Sequence, residues 1–126
     1  MSCLCYFNGS FQPLDETSLP LTDLALQRGY GVFDYFRTVN RELFHARDHI
    51  KRFRHSAAAL HLPVSFSDQE LVEIVQHLVD SCSFQQPAVR ILLTGGDPTR
   101  NKGVFNPRLI CIPEELPVYP PESYIQ

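Results

Sequence analysis

From Ser67 onward the apolar positions fall at Leu71, Ile74, Val75, Leu78, Val79 and Cys82, spaced i, i+3, i+4, i+7, i+8 and i+11, which is the repeat of one helical face. Ser67 and Glu70 stand three apart at its start, a capping box in which hydroxyl and carboxylate satisfy each other's backbone donors. A helix is predicted there. A second helix is predicted over 46–60, where Ile50, Phe53, Ala57 and Leu60 form a core stripe at spacings of three, four and three. On its adjoining flank His49, Arg52, Ser56 and Ala59 follow the same spacing. Over 32–39 the period changes to two: Phe33, Tyr35, Arg37 and Val39 share one face, Val32, Asp34, Phe36 and Thr38 the other. That strand turns back at Asn40 and Arg41. Residues 88–94 and 108–112 read as two further strands. Cys3 to Phe11 reads as a hairpin, because Asn8-Gly9 adopts the positive φ angles of a tight primed turn. Residues 22–27 fit a short helix that ends before Gly29.

A chain of 126 residues is the size of one domain and can bury a core without metals or disulfides. The net charge of -3 provides no basic field for a nucleic-acid backbone, so small-molecule or protein partners are expected. Cys3, Cys5, Cys82 and Cys111 lack Cys-x-x-Cys spacing, and buried free thiols in a reducing compartment explain them better than disulfides or zinc. No basic segment precedes an apolar run at the N-terminus, and eighteen consecutive apolar residues occur nowhere. A cytoplasmic protein with no membrane partner and no metal is expected. Asn8-Gly9-Ser10 matches a glycosylation sequon, but the turn reading is preferred in a chain with no secretion signal.

The candidate chemistry lies in 28–62, read as one wall of an active site. Gly29 and Gly31 precede the 32–39 strand, and paired glycines bring backbone close to something else. Arg52 stands beside the core edge with short neighbours along its row, where its guanidinium can reach a phosphate or carboxylate in a bidentate fork. Periodicity by itself favours the other reading, a solvated basic face, since Arg47, Lys51, Arg54 and His55 lie on the outer side. The loop 95–107 is long and polar, as functional loops are. Its Gly-Gly pair is no P-loop, for no Gly-Lys-Ser/Thr follows. The helix over 67–82 is assigned a structural role and His77 a place on the surface. Residues 114–126, rich in proline and turns, read as a linker after a domain of 1–113.

The order of these residues carries a resemblance. Tyr6-Phe7-Asn8-Gly9, Asp23, then Arg28-Gly29-Tyr30-Gly31-Val32-Phe33-Asp34, Leu43-Phe44, and His49-Ile50-Lys51-Arg52-Phe53 with Ser56-Ala57 resemble the N-terminal small domain of the class IV, fold-type IV pyridoxal-phosphate enzymes. That family includes branched-chain and D-amino-acid aminotransferases and aminodeoxychorismate lyase. The resemblance implies an α+β fold, an antiparallel sheet with two main helices packed against it, as in the small domain of the D-amino acid aminotransferase-like fold. It implies that Arg52 binds the phosphate of pyridoxal 5'-phosphate, that Phe33 and Tyr35 line the substrate pocket, and that Arg100 holds a substrate carboxylate across a homodimer interface. Lys102 falls where some relatives place a histidine. The family more often has Gly-Asp-Gly and a glutamate where this chain has Gly29-Tyr30-Gly31 and Asp34.

These enzymes carry their cofactor on a lysine of a second, C-terminal catalytic domain, and the resemblance implies that the 126 residues here stop short of it. Lys51 and Lys102 are its only lysines, and neither is placed as a buried amine of lowered pKa. The expectation is therefore an N-terminal portion of an amino acid aminotransferase, inactive alone, acting with its missing domain on an amino acid and a 2-oxo acid, with no catalytic residue in this chain. Part of an aminodeoxychorismate lyase and a stand-alone, non-catalytic binding module are the alternatives. The aminotransferase reading predicts an apolar sheet face left bare.

Overall fold

The computed structural model describes residues 3–98 and 106–116. Within them the chain forms strands β1 (Leu4–Phe7) and β2 (Ser10–Pro13), helix α1 (Leu24–Arg28), strands β3 (Gly31–Val39) and β4 (Glu42–Phe44), helices α2 (Ala46–Ala59) and α3 (Asp68–Ser81), and strands β5 (Pro87–Thr94) and β6 (Arg108–Glu115). The strands make one antiparallel sheet in the order β2-β1-β6-β5-β3-β4. The expected α+β fold is the observed one.

The local signals explain most element ends. Asn8 (φ 46°) and Gly9 (φ 113°) make the β1–β2 turn. Asp23 caps α1 by accepting from the Ala25 N–H, and Gly29 ends that helix in the left-handed region. The capping box of α3 is formed in both directions between Ser67 and Glu70. The turn at Asn40 and Arg41, both at positive φ, leads first into the short strand β4 and only then into α2. At the other end β6 continues through Glu115, two residues past the boundary expected at Pro113. Glu114 and Glu115 therefore belong to the sheet: Glu115 accepts from the Gln85 and Gln86 N–H groups, and the Leu116 N–H donates to the Gln86 carbonyl.

One sheet face is covered by α2 and α3. Ile50, Phe53 and Ala57 of α2 and Leu71, Ile74, Val75, Leu78 and Val79 of α3 join Phe36, Val89, Ile91, Leu93, Leu109 and Cys111 in a single buried cluster. The stripes read from sequence are the packed ones. Arg54, assigned to the outer face, instead ties the two helices together, donating to the Asp68 carboxylate at 2.6 Å and to the Phe66 carbonyl. Cys5, Cys82 and Cys111 are buried free thiols, and burial raises the Cys111 pKa well above the ordinary thiol range.

Behind α1 lies a buried polar knot. Asp23 is fully buried and accepts from Thr94 Oγ1 at 2.7 Å and from Arg108 Nη1 at 2.7 Å. The Nη2 of Arg108 reaches Asp97 at 2.8 Å, and Thr22 donates to the same carboxylate at 2.7 Å. These bonds close the two ends of the 95–107 loop onto α1. Removing one partner of a buried pair strands the other charge, so Arg108→Met is expected to lower unfolding stability by about 3 kcal/mol, measured by urea denaturation. A change within error would show that the other bonds to Asp23 suffice.

Candidate functional site

Strand β3 carries the site because consecutive residues point to opposite faces. Asp34, Phe36 and Thr38 are buried toward the helices, while Phe33, Arg37 and Val39 are exposed on the other face and Tyr35 is half-buried there. On the helix side Asp34 Oδ2 accepts from Arg52 Nε at 2.7 Å, and Oδ1 accepts from Arg52 Nη2 at 2.6 Å, from the Tyr35 N–H at 2.7 Å and from His49 Nδ1 at 2.9 Å. His49 and Arg52 sit three apart on α2, on one helical face. Oδ1 can only accept, so the His49 proton is assigned to Nδ1 on the shorter contact, which leaves Arg52 Nη2, 3.2 Å from the same nitrogen, in contact with it and not hydrogen-bonded.

Burial pushes the Asp34 pKa up, but the bonds from Arg52, the Tyr35 N–H and His49 outweigh it and hold the carboxyl below its ordinary range. The bond to Asp34 in turn raises the Arg52 pKa. The expectation of an uncrowded arginine thus needs a correction: Arg52 is ion-paired, along its Nε–Nη2 edge. Its side chain is nevertheless 65% exposed, against 2% for Asp34. A guanidinium has five N–H donors, and the carboxylate uses two. The end-on fork formed by Nη1 and the second Nη2 N–H can still receive an oxyanion, and a phosphate monoester fits that donor set.

The opposite face is mixed rather than apolar throughout, since Arg37, Arg90 and Glu114 stand on it beside the exposed aromatic groups. Phe33 is 64% exposed, with Phe44 and Val39 also exposed beyond it. Farther along, a cavity of about 210 Å³ is lined by Cys5, Phe7, Leu14, Leu92, Ile110 and Ile112 among others. Tyr35 is held here by a 2.6 Å bond to Glu114 Oε1, with the Arg90 guanidinium 5.3 Å from its ring centre. Phe33 and Tyr35 therefore share a face, and Arg52 stands behind the same strand. Arg100 and Lys102 lie outside the described residues. Gly31 and Gly29 have internal reasons: a Cβ on Gly31 would meet the Leu93 carbonyl at 3.0 Å and Ala25 at 3.3 Å, and Gly29 is the helix end.

Sequence reasoning missed Asp34, His49, Arg90 and Glu114. The signal for the first two was present: an acid on the apolar face of a strand, followed by a helix with histidine and arginine at i and i+3. Arg90 and Glu114 are brought to Tyr35 only by strand pairing, since Tyr35 lies opposite Arg90, Arg90 opposite Ile112, and Glu114 two residues along the same face.

The antiparallel sheet with two main helices is the frame of class IV aminotransferase N-terminal domains. A sequence profile of the family Amino-transferase class IV matches residues 31–125, and the chain belongs to that family. It is 31% identical over 104 residues to a D-alanine aminotransferase of Staphylococcus aureus (strain N315), covering 82% of this chain and 37% of that protein. It is 30% identical over 104 residues to the D-alanine aminotransferase of Listeria monocytogenes serotype 1/2a, covering 82% of this chain and 34% of that protein. The chain thus spans little more than a third of the length of these relatives. Its fold matches that of a T.th. branched-chain amino acid aminotransferase crystallised with pyridoxamine 5'-phosphate, with a TM-score of 0.84 at 24% identity, over 98% of this chain and 43% of that one. The branched-chain amino acid aminotransferase from Escherichia coli has a TM-score of 0.83 at 22% identity, over 92% and 42%. Among the described residues no helix is long and apolar enough to cross a membrane.

The Tyr35 environment sets a pH dependence. Burial, with the bond to Glu114 adding to it, raises the Tyr35 pKa from the ordinary 10.0 to about 12. The native state then keeps a proton that the unfolded chain loses, so this contribution to stability is complete below pH 10.0 and declines as pH rises toward about 12. The ring Cζ chemical shift of Tyr35 is expected to titrate near the upper value. Glu114→Gln should move that midpoint part of the way back, because burial remains. A midpoint that does not move would remove Glu114 from the account.

Proposed function

We propose that this chain is the N-terminal part of a pyridoxal-phosphate-dependent amino acid aminotransferase, of branched-chain or D-amino-acid type, in which Arg52 anchors the cofactor phosphate. The observation that carries the reading is the exposed end-on fork of Arg52 on α2, fixed from behind by a buried carboxylate of the strand whose other face presents Phe33 and Tyr35. Family membership supports it, as does the pyridoxamine 5'-phosphate of the T.th. relative. Similarity to D-alanine and branched-chain aminotransferases favours amino transfer over the lyase reaction.

Bound pyridoxal phosphate supplies an electron sink for the carbanion formed beside the substrate amino group. This chain's share is binding and orientation. Arg52 holds the phosphate end. Phe33 and Tyr35 form an apolar wall that excludes water and positions the substrate side chain, and Arg100 addresses the substrate carboxylate across a homodimer interface. In this reading proton transfer and the cofactor-bearing lysine belong to a catalytic domain that follows, joined by a connecting segment after β6, and the present chain is inactive alone. The buried free thiols support a reducing, cytoplasmic setting.

The test is cofactor affinity in the complete enzyme. Arg52→Ala is expected to weaken pyridoxal phosphate binding by about ten- to a hundredfold, the range for a charge-assisted bond. Retention at the wild-type level would withdraw the anchor. Assays of the same protein with D-alanine and with L-leucine decide between the two substrate types.

A further inference from the structure

We infer that Asp34, supported by His49, is a positioning residue for the phosphate anchor: it pre-orders Arg52 so that the arginine meets the phosphate with its end-on fork already aimed. The inference rests on the anchor reading above and extends it to Asp34 and His49.

Three observations carry it. Asp34 takes the side-on edge of Arg52, Nε at 2.7 Å and Nη2 at 2.6 Å, and Nη2 also lies 3.2 Å from His49 Nδ1, so that Nη1 is left unbonded among the described residues. The carboxylate is itself immobilised, with its side chain 2% exposed and both oxygens occupied, one of them by the Tyr35 N–H and His49 Nδ1 besides Arg52. Arg52, in contrast, faces the strand from the edge of the helix packing and keeps 65% of its side chain exposed. An arginine so exposed and without a partner would sample many rotamers, and a ligand would have to order it on binding; a side chain ordered beforehand spares that cost.

The pairing also explains why an anion site contains an anion. Asp34 lowers the local field, but a planar guanidinium recognises phosphate through directed, paired N–H groups rather than through charge alone. Fixing its plane costs field strength and gains direction. His49 contributes by donating to the carboxylate, so that Asp34 stays ionised in a buried position and cannot rotate away from Arg52.

The reading separates from a merely structural role because it concerns one end of the ligand. Asp34→Asn keeps the size of the side chain and an acceptor for the Tyr35 N–H, while its amide cannot receive both Arg52 donors. In the complete enzyme, the affinities for pyridoxal phosphate and for unphosphorylated pyridoxal are measured by absorbance titration. Their ratio reports the phosphate contribution. Asp34→Asn is expected to lower that ratio about tenfold, with pyridoxal affinity little changed, and Asp34→Glu, which restores a carboxylate, should recover most of it. In an Arg52→Ala background Asp34→Asn should have no further effect on the ratio. Equal losses for both ligands would overturn the inference in favour of a structural role. A ratio lowered by Arg52→Ala but untouched by Asp34→Asn would overturn it while leaving the anchor standing, whereas a ratio insensitive to Arg52→Ala would remove both. If Asp34→Asn does not fold, His49→Leu, which removes the donor and leaves the ion pair, should lower the ratio in the same direction by a smaller factor; no change there would likewise overturn it.

Discussion

A carboxylate cannot be buried against a helix unless donors come with it. Asp34 is buried on the packed face of β3, and helix α2 must therefore dock with His49 and Arg52 facing the strand. Any other rotation of α2 about its axis would bring apolar or outward residues to an unpaired charge. The apolar stripe of Ile50, Phe53 and Ala57 fixes the same rotation independently, since it lies beside the His49–Arg52 flank. Core packing and polar satisfaction agree on one orientation, and that agreement sets where the guanidinium points. The proposed anchor is thus a by-product of how the helix is held.

The secondary structure was largely legible because its signals are local. The capping box at Ser67 and Glu70, the alternation over 32–39, the Asn8-Gly9 turn and the glycine that ends α1 each act within a few residues. The polar sites were less legible because they are assembled by docking and register. Arg52 was singled out as a candidate, but its engagement with Asp34 depends on how α2 lies on β3. Glu114 was placed in a linker because the chain around it is rich in proline; strand pairing with β5 overrides that local tendency. Arg54 was assigned to solvent because its carboxylate partner is on the next helix. Paired glycines drew attention to 29–31 for a reason that turned out to be internal, the close approach of α1 to the sheet.

The polar knot at Asp23 performs a similar service at the other end of β5. Arg108 at the start of β6 and Thr94 at the end of β5 both converge on a single buried carboxylate, with Asp97 and Thr22 outside it. Both ends of the intervening loop are thereby fastened, so the geometry with which that loop leaves the sheet is set by ion pairs rather than by its own composition. Two buried aspartates, Asp23 and Asp34, organise the polar chemistry on either side of a sheet whose core is otherwise aliphatic and aromatic.

The alternation of β3 has a consequence for how such a domain diversifies over generations. Residues 34, 36 and 38 are constrained by the interior and by the ion pair, whereas 33, 35 and 37 contact little of the core. Mutational drift at the odd positions can reshape whatever those side chains meet without disturbing the even ones. A lineage can thus retain one inherited ion pair while its outward wall explores new sizes and polarities, and the strand insulates the two histories from each other.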